Sequence, residues 1–226
     1  KGALYAPGDM ILLVGEGDFS FACALQKRLK TSAFVTATVF DGAKAVRSKY
    51  PAARENVQRL TSAGMQVSYG VDCTKLHEME EFRGAFTKVV FNFPHLGTDA
   101  GKQTQEQTDA SVEQHQELLK DFFASVTSCL ESLPTSEVHV TLKSGEPYKS
   151  WRVEQMAKLA AADGQGAGLS CVRIVPFDRK LYPGYGHVRT RGDAYADARG
   201  FSDEKVVEGA KTYVFRLRRG GAAAAA

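Results

Sequence analysis

The chain has 226 residues, 43% hydrophobic and 24% charged, with a formal net charge of +3 at pH 7. That balance fits one ordinary soluble domain with a sizeable core, and a charge this modest permits a nucleic-acid face without demanding one. No apolar run approaches the ~18 residues that cross a bilayer, and no signal-peptide pattern opens the chain.

The first strand is expected at Met10–Val14, a continuous apolar run suited to a central strand covered on both faces, and it breaks at Gly15. A helix follows, with Phe21, Leu25 and Leu29 on one face. The second strand runs Phe34–Phe40 and ends on Asp41-Gly42. A basic helical stretch comes next, with Lys44, Arg47, Lys49, Arg54 and Arg59 set against Glu55. Met65–Val71 reads as a third strand closed by Asp72, and Lys88–Asn92 as a fourth that stops at Pro94. The Gly-, Thr- and Gln-rich segment 96–107 is expected to be a mobile loop. A long helix then carries the stripe Val112, Leu119, Phe122, Phe123, Val126, Leu130 and Leu133. Val138–Leu142 is a fifth strand, Tyr148–Ala162 another helix, and Val172–Val175 and Thr212–Phe215 two late strands.

Short strands alternating with helices predict an α/β fold with a mostly parallel sheet. Seven strands with a late antiparallel hairpin fit a Rossmann-like, class I methyltransferase sheet. One domain over residues 1–219 is expected, with 220–226 a low-complexity tail. Lys1 as first residue is expected of a fragment or a processed product, ahead of which a targeting segment can stand. Cys23, Cys73, Cys129 and Cys171 are far apart and form no C-x-x-C pair, so free buried thiols in a reducing compartment, and no metal, are expected.

Strand, then Gly15-Glu16-Gly17-Asp18-Phe19-Ser20, then helix is an arrangement that presents backbone N–H groups to a ligand. A dinucleotide enzyme prefers a third glycine where Ser20 stands, and Glu16 and Asp18 would repel a pyrophosphate. S-adenosylmethionine carries no phosphate and has an ammonium and a sulfonium centre, so the acids favour it over NAD. Asp41 ends the second strand, where a carboxylate accepts from ribose hydroxyls. Asp72, with Cys73 beside it, closes the third, where a side chain reaches an adenine amino group. Each acid alone serves equally as a turn cap.

Asn92-Phe93-Pro94-His95 ends the fourth strand, where open α/β sheets place their chemistry. The tetrapeptide resembles the Asn/Asp-Pro-Pro-aromatic motif of enzymes that methylate nitrogen on planar bases. Asn92 suits an acceptor for the target N–H, Phe93 a stacking platform, and Pro94 the turn. His95 is a candidate for proton removal or a loop histidine bound to backbone. In the segment 176–191, aromatics interleave with cations: Arg179, Lys180, Tyr182, Tyr185, His187 and Arg189 suit contact with phosphates and unpaired bases. Lys143 and Tyr148, after the fifth strand, belong on the same rim.

The stretches Leu13–Phe21, Phe91–Gly97, Leu142–Tyr148 and Tyr182–Tyr185 together resemble the eukaryotic large-subunit rRNA uridine-N3 methyltransferases, a domain type also found beside ferredoxin-fold anticodon-binding modules. The resemblance spans Gly8 to Leu217. It implies S-adenosylmethionine as donor, N3 of a uridine in large-subunit rRNA as acceptor, and work on a pre-ribosomal particle, with no membrane. It implies the nucleolus; apart from the resemblance, a targeting segment ahead of Lys1 would direct the protein to a mitochondrion instead. A methyltransferase fold retained as an rRNA-binding assembly factor without turnover is the alternative. The chain departs from the family at His187-Val188-Arg189-Thr190, where the family tends towards His-Arg-Arg-Thr, and that loss of a cation bears on the RNA target.

Overall fold

The computed structural model describes residues 4–30, 35–97, 104–162, 168–188 and 207–218. Phe34, Arg189, Arg191 and the tail 220–226 lie outside these.

Chain order runs β1 (Ile11–Val14), α1 (Ser20–Leu29), β2 (Val35–Val39), α2 (Ala43–Lys49), α3 (Ala53–Ser62) and β3 (Gln66–Tyr69). Two short 3₁₀ turns lead to β4 (Lys88–Asn92), α4 (Gln105–Val126), β5 (Glu137–Leu142), α5 (Val153–Ala162), β6 (Leu169–Pro176) and β7 (Lys211–Leu217). All seven strands form one sheet, ordered β3-β2-β1-β4-β5-β7-β6. Pairing is parallel from β3 through β5, and β7 runs antiparallel to both β5 and β6.

Alternation along the strands builds a core on each face of the sheet. Leu12 and Val14 of β1, Val89 and Phe91 of β4, and Val138 and Val140 of β5 pack with Leu119, Phe122, Phe123 and Val126 of α4. Ile11, Leu13, Val35, Ala37 and Val90 point the other way, onto Phe21 and Leu25 of α1 and Leu60 of α3. A strand sandwiched between two helical layers has no polar face, which is why β1 reads as an unbroken apolar run.

Three expectations are corrected. Helix α4 ends at Val126 and continues only as a 3₁₀ turn, Thr127–Cys129, so Leu130 is buried beyond the helix and Leu133 is 47% exposed. The segment expected as one helix from Tyr148 is two pieces, a 3₁₀ turn at Tyr148–Trp151 and then α5, because Arg152 turns left-handed at φ 48°. The end of the supposed loop 96–107 starts α4 instead. Thr104 accepts from the Gln107 amide, and the Gln107 side chain accepts from the Thr104 amide, a reciprocal capping box. Residues 98–103 of that loop lie outside the described residues.

Of the four cysteines, all free thiols, Cys73 and Cys129 are buried and Cys23 and Cys171 partly so. No described helix is long and apolar enough to cross a membrane. Among the described residues, no three His, Cys, Asp or Glu side chains gather as a metal-binding group.

Candidate active site

Consecutive strands β1, β2 and β3 step one way across the sheet, whereas β4 and β5 lie on the other side of β1. The carboxyl ends of β1 and β4 therefore flank the switch in strand order, where such sheets hold ligands. The turn after β1 and the turn after β4 meet there.

Gly15 has φ 67°, and a Cβ on it would lie 2.5 Å from Phe91 Cε2, so only glycine fits beneath the aromatic ring of β4. Gly17 is different, since a Cβ there would sit 3.5 Å from the Tyr50 ring, an ordinary contact. The acids between and after them turn inward. Glu16 is 9% exposed, and its Oε2 accepts from the Ala22 amide at 3.2 Å. Burial, and secondarily the charge of Asp18, push its carboxyl up to about 8 despite that hydrogen bond. Asp18 Oδ1 accepts from the Ser20 amide at 2.9 Å, and its carboxyl is also raised by burial. The expectation that both acids repel a phosphate is corrected for Glu16. Near neutral pH it is largely protonated and bonded to the first turn of α1.

Asp41 and Asp72 stand on neighbouring loops, joined where the Gly70 amide donates to Asp41 O at 3.3 Å and the Val71 amide to Val39 O at 3.0 Å. Asp41 holds Lys49 Nζ at 3.0 Å from each oxygen. Asp72 Oδ1 accepts from Thr74 N at 2.9 Å and Thr74 Oγ1 at 2.7 Å, capping the 3₁₀ turn that follows. Next to it, burial and the Asp72 charge raise the Cys73 thiol to about 12, so it stays protonated.

Across the switch point, Asn92 is fixed by its neighbours. Thr141 Oγ1 donates to Asn92 Oδ1 at 2.7 Å and lies 2.9 Å from Thr212 Oγ1, a chain of contacts across β4, β5 and β7. Phe93 has φ 52° and donates its amide to Thr141 O at 2.8 Å. Its half-buried ring meets Phe177 and His187 edge-on, at 5.4 and 4.7 Å. Pro94 is buried and His95 exposed. His95 Nδ1 accepts from the Gly97 amide at 3.0 Å, so the neutral ring carries its proton on Nε2.

The tyrosines of the 182–187 loop are inside rather than on an RNA-facing surface, and their role as stacking platforms is corrected. Tyr182 is 3% exposed, stacked on Phe177 at 5.7 Å and tilted against Phe21 at 4.8 Å. Tyr185 is buried too, its hydroxyl 3.2 Å from His187 Nδ1. Burial pushes the Tyr182 phenol up to about 12. The loop is a wall of the site, tied to the glycine turn where Ser20 Oγ donates to Gly186 O at 2.9 Å. Arg179 donates through Nε to Tyr185 O at 3.0 Å, whereas Lys180 is exposed. Lys143 Nζ lies 5.3 Å over the Tyr148 ring, on the rim beyond β5.

Sequence reasoning missed the residues that hold this machinery: Thr141 and Thr212 beside Asn92, Lys49 at Asp41, and Asn56, whose Nδ2 donates to Asp18 O at 2.8 Å. It also missed His115, buried on α4 against Trp151. A signal existed, because His115 precedes Leu119 by one turn and Phe122 by two, on the buried stripe.

The sheet order, the glycine turn and the turn after β4 define a class I methyltransferase fold. Solved structures share it: TrmN from Thermus thermophilus (TM-score 0.51, 13% identity, 94% of this chain and 45% of that one) and the aminoglycoside resistance methyltransferase NpmB1 (TM-score 0.52, 10% identity, 94% and 88%). Residues 12–189 match the family model described as rRNA (uridine-N3-)-methyltransferase BTM5-like, and the chain belongs to this BMT5-like family. Its relatives include the ferredoxin-fold anticodon-binding domain-containing protein 1 homolog of Mus musculus, 37% identical over 91% of this chain and 30% of its own. Heavy metal-associated isoprenylated plant protein 41 of Arabidopsis thaliana is 34% identical over 83% of this chain and 34% of its own. The 25S rRNA (uridine(2634)-N(3))-methyltransferase of Saccharomyces cerevisiae is 24% identical over 82% of this chain and 67% of its own. The chain thus spans about a third of the length of the mouse and Arabidopsis relatives.

Proposed function

We propose that this chain binds S-adenosylmethionine beyond the carboxyl ends of β1, β2 and β3 and methylates N3 of a uridine in large-subunit rRNA. The observation that carries the reading is the Asn92–His95 turn, its amide locked by Thr141, across the switch point from the glycine turn.

The donor set fits the methyl donor. A carboxylate offers about four acceptor positions, so Asp41 retains capacity for ribose hydroxyls beside Lys49. Asp72 uses Oδ1 for its own turn, which leaves Oδ2 for an adenine amino group. The neutral Cys73 thiol adds soft surface along the same wall. When bound, the donor supplies a methyl group already activated on a sulfonium.

The chain's own residues then have to orient the acceptor and assist proton loss. Uridine N3–H lies between two carbonyl oxygens, and an amide carries both a donor and an acceptor edge. Asn92, held against rotation, matches that pattern. His95 in its present tautomer donates through Nε2–H to a uracil carbonyl oxygen. Proton removal by His95 requires its Nδ1 to leave the Gly97 amide. Lys143, Arg179, Lys180 and Arg189 supply cations for the RNA backbone, Arg189 lying outside the described residues. The base reaches the turn flipped or single-stranded. The substrate sets the place of action: rRNA in a maturing pre-ribosomal particle, in the nucleolus.

N3 methylation blocks Watson–Crick pairing and stops reverse transcription. Ribosomal RNA from cells lacking the protein is expected to lose one specific stop. If every stop persists while large-subunit assembly falters, the chain is an rRNA-binding assembly factor and the enzymatic reading is wrong.

A further inference from the structure

We propose that His115 of α4 is a positioning residue that holds the turn after β4 in its base-binding shape, an inference that rests on reading this turn as the methyl-acceptor site. The ring is 1% exposed and lies flat on the Trp151 indole, with 4.1 Å between centroids and 7° between planes. Both of its nitrogens are occupied. Nδ1 lies 2.7 Å from Ser111 O, one helical turn back, and a carbonyl oxygen only accepts, so Nδ1 carries the proton. Nε2 is then the acceptor, and the Leu96 amide donates to it at 3.3 Å. The ring is therefore neutral and of one tautomer. Burial acts in the same direction, holding its pKa below the ordinary histidine value against the opposing Ser111 bond.

This places His95 between two anchored neighbours. Pro94 on one side is buried in the protein, and Leu96 on the other is bonded to α4 through His115. The His95 ring itself lies edge-on to His115 at 4.9 Å and to Trp151 at 6.3 Å. Trp151 closes the stack from the 3₁₀ turn beyond β5, with Tyr148 edge-on at 4.9 Å. Its buried Nε1 has no hydrogen-bond partner among the described residues, so ring packing holds the indole in place. One histidine thus joins the long helix, the turn after β4 and the turn after β5, at the edge of the crevice where a planar base is to be oriented. A shift of about 1 Å at such a point costs up to ~100-fold in rate.

The test compares His115→Leu, which loses both hydrogen bonds, with His115→Gln, whose amide oxygen can still accept from the Leu96 N–H. Methyl transfer to rRNA is followed with kcat and the donor KM separated, and nitrogen-15 NMR of the wild-type protein reads the His115 tautomer and Leu96 amide exchange. The expected result is a kcat about 10–100-fold lower in His115→Leu, an unchanged donor KM, substantial rescue by His115→Gln, an Nδ1–H tautomer and a protected Leu96 amide. A folded His115→Leu with wild-type kcat overturns the proposal, as does an Nε2–H tautomer. Should His115→Leu fail to fold, a wild-type Leu96 amide that exchanges freely, or a His115→Gln variant no better than a broken turn, overturns it equally. If the wild-type protein transfers no methyl group at all, the acceptor-site reading fails, while the tautomer and Leu96 protection still decide whether His115 holds the turn.

Discussion

Adding one methyl group to the turn after β1 distinguishes two glycines that look alike in sequence. Gly15→Ala forces a side chain into the left-handed region and against Phe91, and should cost at least ~1–2 kcal/mol of stability in urea unfolding. Gly17→Ala meets only ordinary contact with Tyr50, so stability should stay within about 0.5 kcal/mol. Calorimetry should nevertheless find weaker binding of S-adenosylmethionine to Gly17→Ala, because a donor lying against that backbone needs the missing Cβ; undiminished affinity would remove Gly17 from the donor site. Glu16 carries a pH dependence of a particular sign. Its folded pKa of about 8 stands above the ordinary 4.5, so the folded protein keeps a proton that the unfolded chain has released. The stability it contributes is full below pH 4.5 and is lost as pH rises through about 8. In the ligand-free protein, Glu16→Gln should flatten that loss, and an unaltered pH profile of the urea midpoint would contradict the assignment. The acids of this turn were readable in the sequence. Their direction was not, because whether a carboxyl faces a ligand or the first turn of its own helix depends on how α1 packs beneath it.

At the scale of elements, β5 shows what alternation conveys and what it hides. Val138, Val140 and Leu142 enter one core as the pattern requires, but Glu137, His139 and Thr141 are buried too, on the other face. Glu137 survives there because Arg216 bonds it at 2.6 and 3.0 Å, His139 at 3.0 Å, and Lys88 lies 3.3 Å away. Burial alone would raise its carboxyl, but the His139 and Arg216 hydrogen bonds and the Lys88 charge hold it at about 2. Its contribution to stability is present above the ordinary 4.5 and lost as pH falls through about 2. Glu137→Ala leaves the buried Lys88 ammonium without its carboxylate partner and should cost about 3–5 kcal/mol in denaturant unfolding, with a shallower acid transition; a cost under 1 kcal/mol would show the cluster to be dispensable. The strand cores and α1 were readable from apolar periodicity. The ends of α4 and the break at Arg152 were not, since Leu130 and Trp151 are buried by tertiary contacts that a helical stripe imitates.

For the molecule as a whole, the alternation of strands and helices conveys the mostly parallel sheet and its late antiparallel pair, whereas the order β3-β2-β1-β4-β5-β7-β6 is visible only in the structure. The positions of Gly15 and Asn92 at the ends of β1 and β4 were visible in the sequence, whereas β3 stops at Tyr69, short of the expected Val71, so Asp72 caps the following 3₁₀ turn instead of closing the strand. What no local pattern could show was the path of the 182–187 loop, which returns across the sheet to Ser20 and buries tyrosines that read as an RNA-stacking surface. That loop, Phe93 and the His115–Trp151 stack make the candidate site a product of distant segments, so its geometry belongs to the fold rather than to a motif. Methyl transfer to uridine N3 is read out by incubating the protein with unmodified large-subunit rRNA and isotope-labelled S-adenosylmethionine, then digesting the RNA to nucleosides for mass spectrometry. Label is expected in 3-methyluridine alone, abolished by Asn92→Ala; label in any other nucleoside, or none in the RNA, would show the acceptor assignment to be wrong.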